Sequence, residues 1–471
     1  MNQPELAELE SAIQAIWSIS QRFGLDPYPI AFELVPASIM YEFGAYGLPG
    51  RFSHWTHGRA YQQIKTEYDY GLSRIYELVV NTNPAYAFLL ENNSVLQNKL
   101  IAAHVLAHVD FFKHNAYFQS TNRQMIETAS RHAERLRRHE YDHGQAVVER
   151  FLDAVLSIQD HVDPYAAGRR PDETSLPPKR PTRAQSGYDD LFELGEPKPP
   201  AATPEEARDP LEPDGDLLRF IGERARQLTD WQRDVLEIVR SEQLYFVPQM
   251  RTKVMNEGWA SFWHLRIMRE LDLSTEDYVN FANMHAGVIT PSRGQINPYY
   301  VGLHLLEDVE RRWDEPTAEE RERFGRRPDE GRAKLFEIRE EESDASFFRN
   351  YLTRELVDEL DLYLYRLEGN RWVIVDKDWE TVRDTLVASV THYGRPTIVV
   401  EDGDYRKNGE LFLRHCDEGQ PLDFPDAEKT LANVYRLWGR PVHLETVKKA
   451  ERVVLSFDGT KHATRPMQMR V

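Results

Sequence analysis

Two stretches constrain this chain more than the rest of its 471 residues. One, Ile101 to Asn115, reads IAAHVLAHVDFFKHN; the other, Val254 to His264, reads VMNEGWASFWH. In the first, Ile101, Leu106, Val109, Phe111 and Phe112 fall on several sides, the pattern of a helix buried within a bundle. That same helix carries His104 and His108, which stack on one face at about 100° per residue, with Asn115 returning to within about 20° of His104. On the second helix Glu257, Ser261 and His264 share a face, His264 about 20° from Glu257. Buried polar groups of this kind need partners. Two histidines at i and i+4 with a glutamate from a second helix are the ligand types and spacing of a zinc or iron site, so His104, His108 and Glu257 are the candidate metal ligands. The competing reading is a pair of hydrogen-bonded core histidines.

A zinc peptidase helix places a glutamate beside its first histidine as general base. Here Val105 stands in that position. Either the site binds metal without that chemistry, or another carboxylate supplies it: Glu77, Glu91 or Asp110. Asp110 lies about 200° round the helix from His108, so it points elsewhere. Glu77, inside the β-branched run Ile75 to Val80, reads as a ligand, a ligand's support or an arginine partner, because a buried glutamate is rarely left unpaired. With Asn256, His264 and His285 it makes up the candidate catalytic set. Asn297, Pro298 and Tyr299 lie beside a helix end from which side chains can reach a shared site. The repeated Glu-x-x-His helices of a di-iron bundle are missing. So are a GxxxxGK[ST] loop, a strand-following GxGxxG and a GxSxG elbow, which removes nucleotide-dependent and α/β-hydrolase readings.

Along the chain, residues 1–160 read as an N-terminal helical region. Within it, the Gly-rich loop GLPGRFSHWTHGRA carries His54 and His57, with Phe52 and Trp55 expected to pack. His139, Glu140, Asp142 and His143 have ligand chemistry, but Arg135, Arg137 and Arg138 beside them suggest a solvated face. Residues 161–215 hold eleven of the chain's 27 prolines and few apolar residues, an extended linker or surface wrap in which YDDLFELG docks locally. Residues 216–350 form a second helical region packing on the first, with Pro248 marking a break or kink. Residues 351–471 alternate short β-rich runs with two helical patterns, a small α+β module without a recognisable catalytic set. The expected fold is therefore mainly α: a large bundle-like helical domain, with a metallopeptidase-like ligand arrangement as one option, and a smaller C-terminal α+β domain.

A net charge of −19 disfavours nucleic-acid and anionic-membrane binding. No apolar run approaches the roughly 18 residues of a membrane span. The start, MNQPELAELESAIQAIW, lacks a basic segment followed by an apolar one, so the expected location is cytoplasmic. The single cysteine, Cys416, excludes an internal disulfide or a CxxC site and reads as a small core residue.

The segments GLPGRFSHWTHGRAY, YELVVNTNPAYAFLLENNS, AHVLAHVDFFKHNAYF, TKVMNEGWASFWH and INPYYVGLHLLEDVERRW resemble the stage V sporulation protein R (SpoVR-like) family, from about residue 10 into the C-terminal domain. The motif positions carried over are His54, Trp55, Glu77, Asn81, His104, His108, Asn115, Asn256, Glu257, His264, Asn297 and Pro298. One local departure is Leu106-Ala107, which leaves both histidines in place. The resemblance implies a cytoplasmic protein linked to spore cortex formation or to stress response, acting with a PrkA-type serine protein kinase and a von Willebrand A-like protein. It supplies no biochemical activity. Two readings stand side by side. One is a regulatory or scaffold protein in such a complex, favoured by the missing base, the Pro-rich segment and the separate α+β module. The other is a metal-dependent (zinc or iron) hydrolase-like enzyme using a His-His-Glu site.

Overall fold

The computed structural model describes residues 1–69, 77–164, 213–417 and 421–467. Most of the 161–215 segment, including YDDLFELG, lies outside the described residues. The described residues are mainly helical, with a five-stranded sheet near the C-terminus. No helix among them is long and apolar enough to cross a membrane.

The chain divides into two compact units, each built from two segments: 1–144 with 245–395, and 145–244 with 396–471. The expected cuts fall elsewhere. Position 351 lies at the end of the helix Asp344–Tyr351, inside the first unit. The β-rich runs just after it form a hairpin, Leu364–Glu368 with Arg371–Asp376, and the helix Trp379–Val390 that follows packs Val382, Leu386 and Val387 into the core of the first unit. The helix Asp230–Arg251 contributes residues to both units and runs through Pro248. The break comes at Thr252, whose hydroxyl donates to the Pro248 carbonyl at 2.8 Å.

At the centre of the first unit is the histidine helix, Val95–His114. It starts at a capping box in which Ser94 and Gln97 satisfy each other's backbone N–H groups. Every residue from Ile101 to Phe112 is buried, as the absence of a single apolar stripe predicts. Against it packs the glutamate helix, Lys253–Glu270, whose first N–H groups would be orphaned in the core. The buried Asp344 carboxylate accepts from Val254 N and Met255 N, each at 2.9 Å, and so fixes where this helix begins. Burial raises the Asp344 pKa to about 7, against the two N–H donors that lower it.

The helix Pro298–Asp314 crosses the glutamate helix at backbone contact. A Cβ added at Gly258 would sit 2.4 Å from the Gly302 carbonyl carbon, and one at Gly302 would sit 2.2 Å from the Val254 oxygen. Only glycine at both positions permits this approach. The last contribution is a three-stranded sheet in which Ala85–Leu90 lies between Ile30–Val35, parallel to it, and Leu78–Val80, antiparallel. The strand Leu78–Val80 begins one residue after Glu77, so the sheet delivers that side chain.

In the second unit the sheet order is His462–Pro466, Glu451–Phe457, Val442–Lys448, Glu410–Cys416, Thr397–Tyr405. Val442–Lys448 runs parallel to Glu410–Cys416, and the helix Phe424–Trp438 forms the connection between them. Cys416, at the end of its strand, is half-buried and not a core residue.

Candidate metal centre

Two elements bring the imidazoles and one carboxylate together, and the sheet adds a second carboxylate. His104 Nε2 lies 3.6 Å from Glu257 Oε2 and 3.2 Å from Glu77 Oε1; His108 Nε2 lies 3.4 Å and 3.5 Å from the same two oxygens. One ligand atom from each of the four residues falls within 4.8 Å of every other. The atoms converge on a point and do not simply pair off. His104 Nε2 and Glu257 Oε2 are buried, and neither has a hydrogen bond of acceptable geometry. Orphaned buried polar atoms in a native core ask for an explanation, and an ion is one. With an ion displacing the imidazole protons, two carboxylates and two neutral imidazoles would sum to −2, the complement of a divalent cation. The donor set therefore fits zinc or iron(II).

The imidazoles are held from behind. His108 Nδ1 donates to Asn256 Oδ1 at 2.9 Å, so in the neutral ring Nε2 would be the nitrogen free to bind an ion between the carboxylates. His104 Nδ1 lies 2.7 Å from His264 Nδ1, and His264 Nε2 lies 2.9 Å from His285 Nδ1. The Tyr299 side chain lies beside Glu257, and its ring centroid is 5.9 Å from that of His104.

Burial opposes every charge here, and the groups offset it mutually. Burial depresses the His108 pKa, but the Glu257 and Glu77 carboxylates facing the ring more than reverse this and raise it to about 10. His104 is raised by the same carboxylates in spite of its burial. Burial acts to raise the Glu77 and Glu257 carboxyls, yet both stay below the usual carboxylate range because the two imidazoles face them. Tyr299 is pushed up, first by burial and then by the two carboxylates. His264 is lowered by burial and by the imidazoles on either side.

Of the residues singled out in the sequence, His104, His108, Glu257 and Glu77 meet, with Asn256 and His264 directly behind the imidazoles. His285 is one step further out. Asn115 does not join them. The helix ends at His114, and Asn115 caps it, its side-chain amide donating to the Arg339 and Glu342 carbonyls at 2.8 and 3.0 Å. Asp110 points away, as its angle requires, into an ion pair with Arg339 and a bond from Trp259 Nε1. Glu91 is exposed. His54 and His57 close their own loop: His54 Nδ1 with the Thr56 hydroxyl at 2.8 Å, His57 Nδ1 donating to the Phe52 carbonyl at 3.2 Å. Phe52 packs there, but Trp55 is exposed. Asn297 caps its helix by accepting from Tyr299 N and Tyr300 N, and this sets Tyr299 beside Glu257. The glycine pair Gly258 and Gly302, which sets the crossing of the helices bearing Glu257 and Tyr299, went unread in the sequence. A glycine beside Glu257 in NEGWAS and another in YYVGLHLL were the available signal.

Comparison with known families decides the chain's kinship. The family described as SpoVR like protein matches residues 3–395, and the SpoVR-like C-terminal domain matches 396–449. The chain belongs to the SpoVR family. The junction of the two matches, 395/396, coincides with a division between the compact units. A relative in Escherichia coli K12, the uncharacterized protein YcgB, is 29% identical over 473 aligned residues, covering 93% of this chain and 91% of that protein. No solved structure matches this SpoVR chain.

Proposed function

We propose that this SpoVR chain is a metal-dependent protein with hydrolase-like chemistry, in which His104, His108 and Glu257 hold one zinc or iron(II) ion and Glu77 is the base that the helix itself lacks. The observation that carries this reading is the convergence of two buried imidazole nitrogens and two carboxylate oxygens. The side chains of His104 and His108 are 7% and 4% exposed, those of Glu77 and Glu257 19% and 17%, so the site opens on its carboxylate side. A bound ion of this kind supplies a Lewis acid and lowers the pKa of a coordinated water to about 7. Glu77, arriving from outside the two helices, is placed to accept a proton at that open side. Tyr299, beside Glu257, closes the same side of the site.

Elemental analysis of untagged protein tests the site. About one zinc or iron per chain is expected in the parent, and none in a folded His104→Ala/His108→Ala variant. Glu77→Gln then separates roles. A variant that keeps its metal but loses turnover on a panel of peptide and ester substrates supports the base, whereas loss of the metal itself makes Glu77 a fourth ligand and the site a closed structural one. An absence of metal in the parent after reconstitution with zinc and iron(II) overturns the proposal.

A second reading, the regulatory or scaffold role beside a PrkA-type kinase and a von Willebrand A-like protein, is favoured by one surface feature. In the hairpin Leu364–Asp376, the apolar residues Leu367, Trp372, Val373, Ile374 and Val375 are all exposed. Contiguous exposed apolar side chains are characteristic of interaction sites. Capture of the two candidate partners by the parent, but not by a Trp372→Ser/Ile374→Ser variant, is the outcome expected of a scaffold. Equal capture by both proteins argues against it.

A further inference from the structure

We propose that His285, which touches none of the four converging side chains, sets the metal affinity of the centre through a one-directional chain of imidazoles. This rests on the metal reading above and assigns positioning roles to His264 and His285. The argument is a count of protons. If the His104 Nε2 lone pair faces the shared point, the ring's one N–H sits on Nδ1 and must donate. Among the described residues its hydrogen-bond partner is His264 Nδ1 at 2.7 Å, which must therefore accept. A neutral imidazole carries one N–H, so that of His264 is on Nε2, and it donates to His285 Nδ1 at 2.9 Å. His285 in turn accepts at Nδ1 and keeps its own proton on Nε2. One lone pair at the centre thus fixes three tautomers in sequence.

The two ligand histidines are consequently held by unlike devices. His108 donates to the oxygen of Asn256, an acceptor whatever its neighbours do. His104 donates to an imidazole that accepts at Nδ1 only while its other nitrogen has somewhere to donate. The His264 ring is 1% exposed and flanked by Phe281, whose ring centroid lies 6.4 Å away. Without His285, His264 has two costly choices. It can bury an unsatisfied Nε2–H, or it can move its proton to Nδ1 and set two N–H groups head to head with His104. Either choice loosens the His104 ring from the orientation that aims Nε2 at the carboxylates.

The test measures zinc affinity by competition with a chromophoric chelator for the parent, His285→Leu and His285→Asn. Loss of such an outer contact weakens metal binding by about 10- to 100-fold, and that is expected for His285→Leu. His285→Asn, whose Oδ1 stands where Nδ1 accepted, is expected to recover most of the loss. Nitrogen-15 chemical shifts of the zinc-loaded parent give a reading that needs no variant: His264 protonated on Nε2 and bare on Nδ1. Equal zinc affinity in the parent and a folded His285→Leu, or His264 protonated on Nδ1, overturns the inference while leaving the metal centre standing. A parent that binds no zinc overturns both.

Discussion

The histidine helix and the helix Met125–His143 carry the same spacing with opposite outcomes. His104 and His108 are four apart, and so are His139 and His143. The first pair is buried, with ring centroids 4.6 Å apart; the second lies on a charged helix, His143 exposed and His139 half-buried, with centroids 6.4 Å apart. Among the described residues only the first pair belongs to a group of converging ligand atoms. Spacing is common to both, so it cannot be what makes the site. What differs is the supply of carboxylates from other elements that converge on the first pair, Glu257 from a packed helix and Glu77 from a sheet. Ligand-type residues at the same spacing on a charged helix do not by themselves converge on a shared point.

The largest expected effect breaks the comparison at its strong end. His104→Ala/His108→Ala is expected to take metal content from about one per chain to none, read by elemental analysis on protein whose circular dichroism matches the parent's. The next effect acts on geometry. Gly258→Ala forces a Cβ against the backbone around Gly302, which is not a flexible side chain that can move aside. We expect a loss of about 3 kcal/mol by urea denaturation, along with weaker zinc binding, because Glu257 and Tyr299 sit on the two helices pushed apart. A Gly258→Ala protein as stable as the parent would show that the crossing is looser than the contact distances require.

The parts of this centre that lie on one helix were legible, since a 3.6-residue period places His104 over His108 and Glu257 near His264 without tertiary information. Asn115 shows where that logic stops. The angle holds only while the helix continues, and it ends at His114. Glu77 remained a three-way choice because its position depends on which strands pair, and strand pairing is non-local. The sequence suggested that His264 and His285 were candidates for chemistry; their contacts place them behind His104, a relation set by helix packing. The division of the chain was hidden for a similar reason. The hairpin at 364–376 and the helix Trp379–Val390 look like the start of a β-rich module, yet the helix buries Val382, Leu386 and Val387 in the helical core.

A buried histidine outside the centre sharpens the comparison through pH. His57 is pushed down to about 4, chiefly by burial and then by the Arg51 charge, with the bond to the Phe52 carbonyl working the other way. The folded protein thus holds His57 neutral where the unfolded chain, at its ordinary value near 6.5, has taken up a proton. The unfolded state binds more protons between these values, so stability rises with pH across the window and is lost as pH falls from about 6.5 to about 4. The contribution is up to about 3 kcal/mol. His57→Asn keeps an N–H for the Phe52 carbonyl and removes the titration. The drop in Tm between pH 7 and pH 4.5 is expected to be smaller in this variant than in the parent, and an equal drop would place the acid sensitivity elsewhere.

The smallest expected effect is the most discriminating for the comparison itself. His139→Ala/His143→Ala removes a histidine pair of the same spacing from a charged helix, one of the two exposed and the other half-buried. If burial and converging carboxylates make a metal site, this variant keeps about one metal per chain and its stability changes by no more than about 0.5 kcal/mol, the range of ordinary surface substitutions. Loss of metal from it would mean that the exposed pair binds the ion after all, and that the convergence around Glu77 and Glu257 is a charge-balanced core of two carboxylates facing two protonated imidazoles. The two double variants together therefore assign the ion to one pair or the other, because each pair serves as the control for its counterpart.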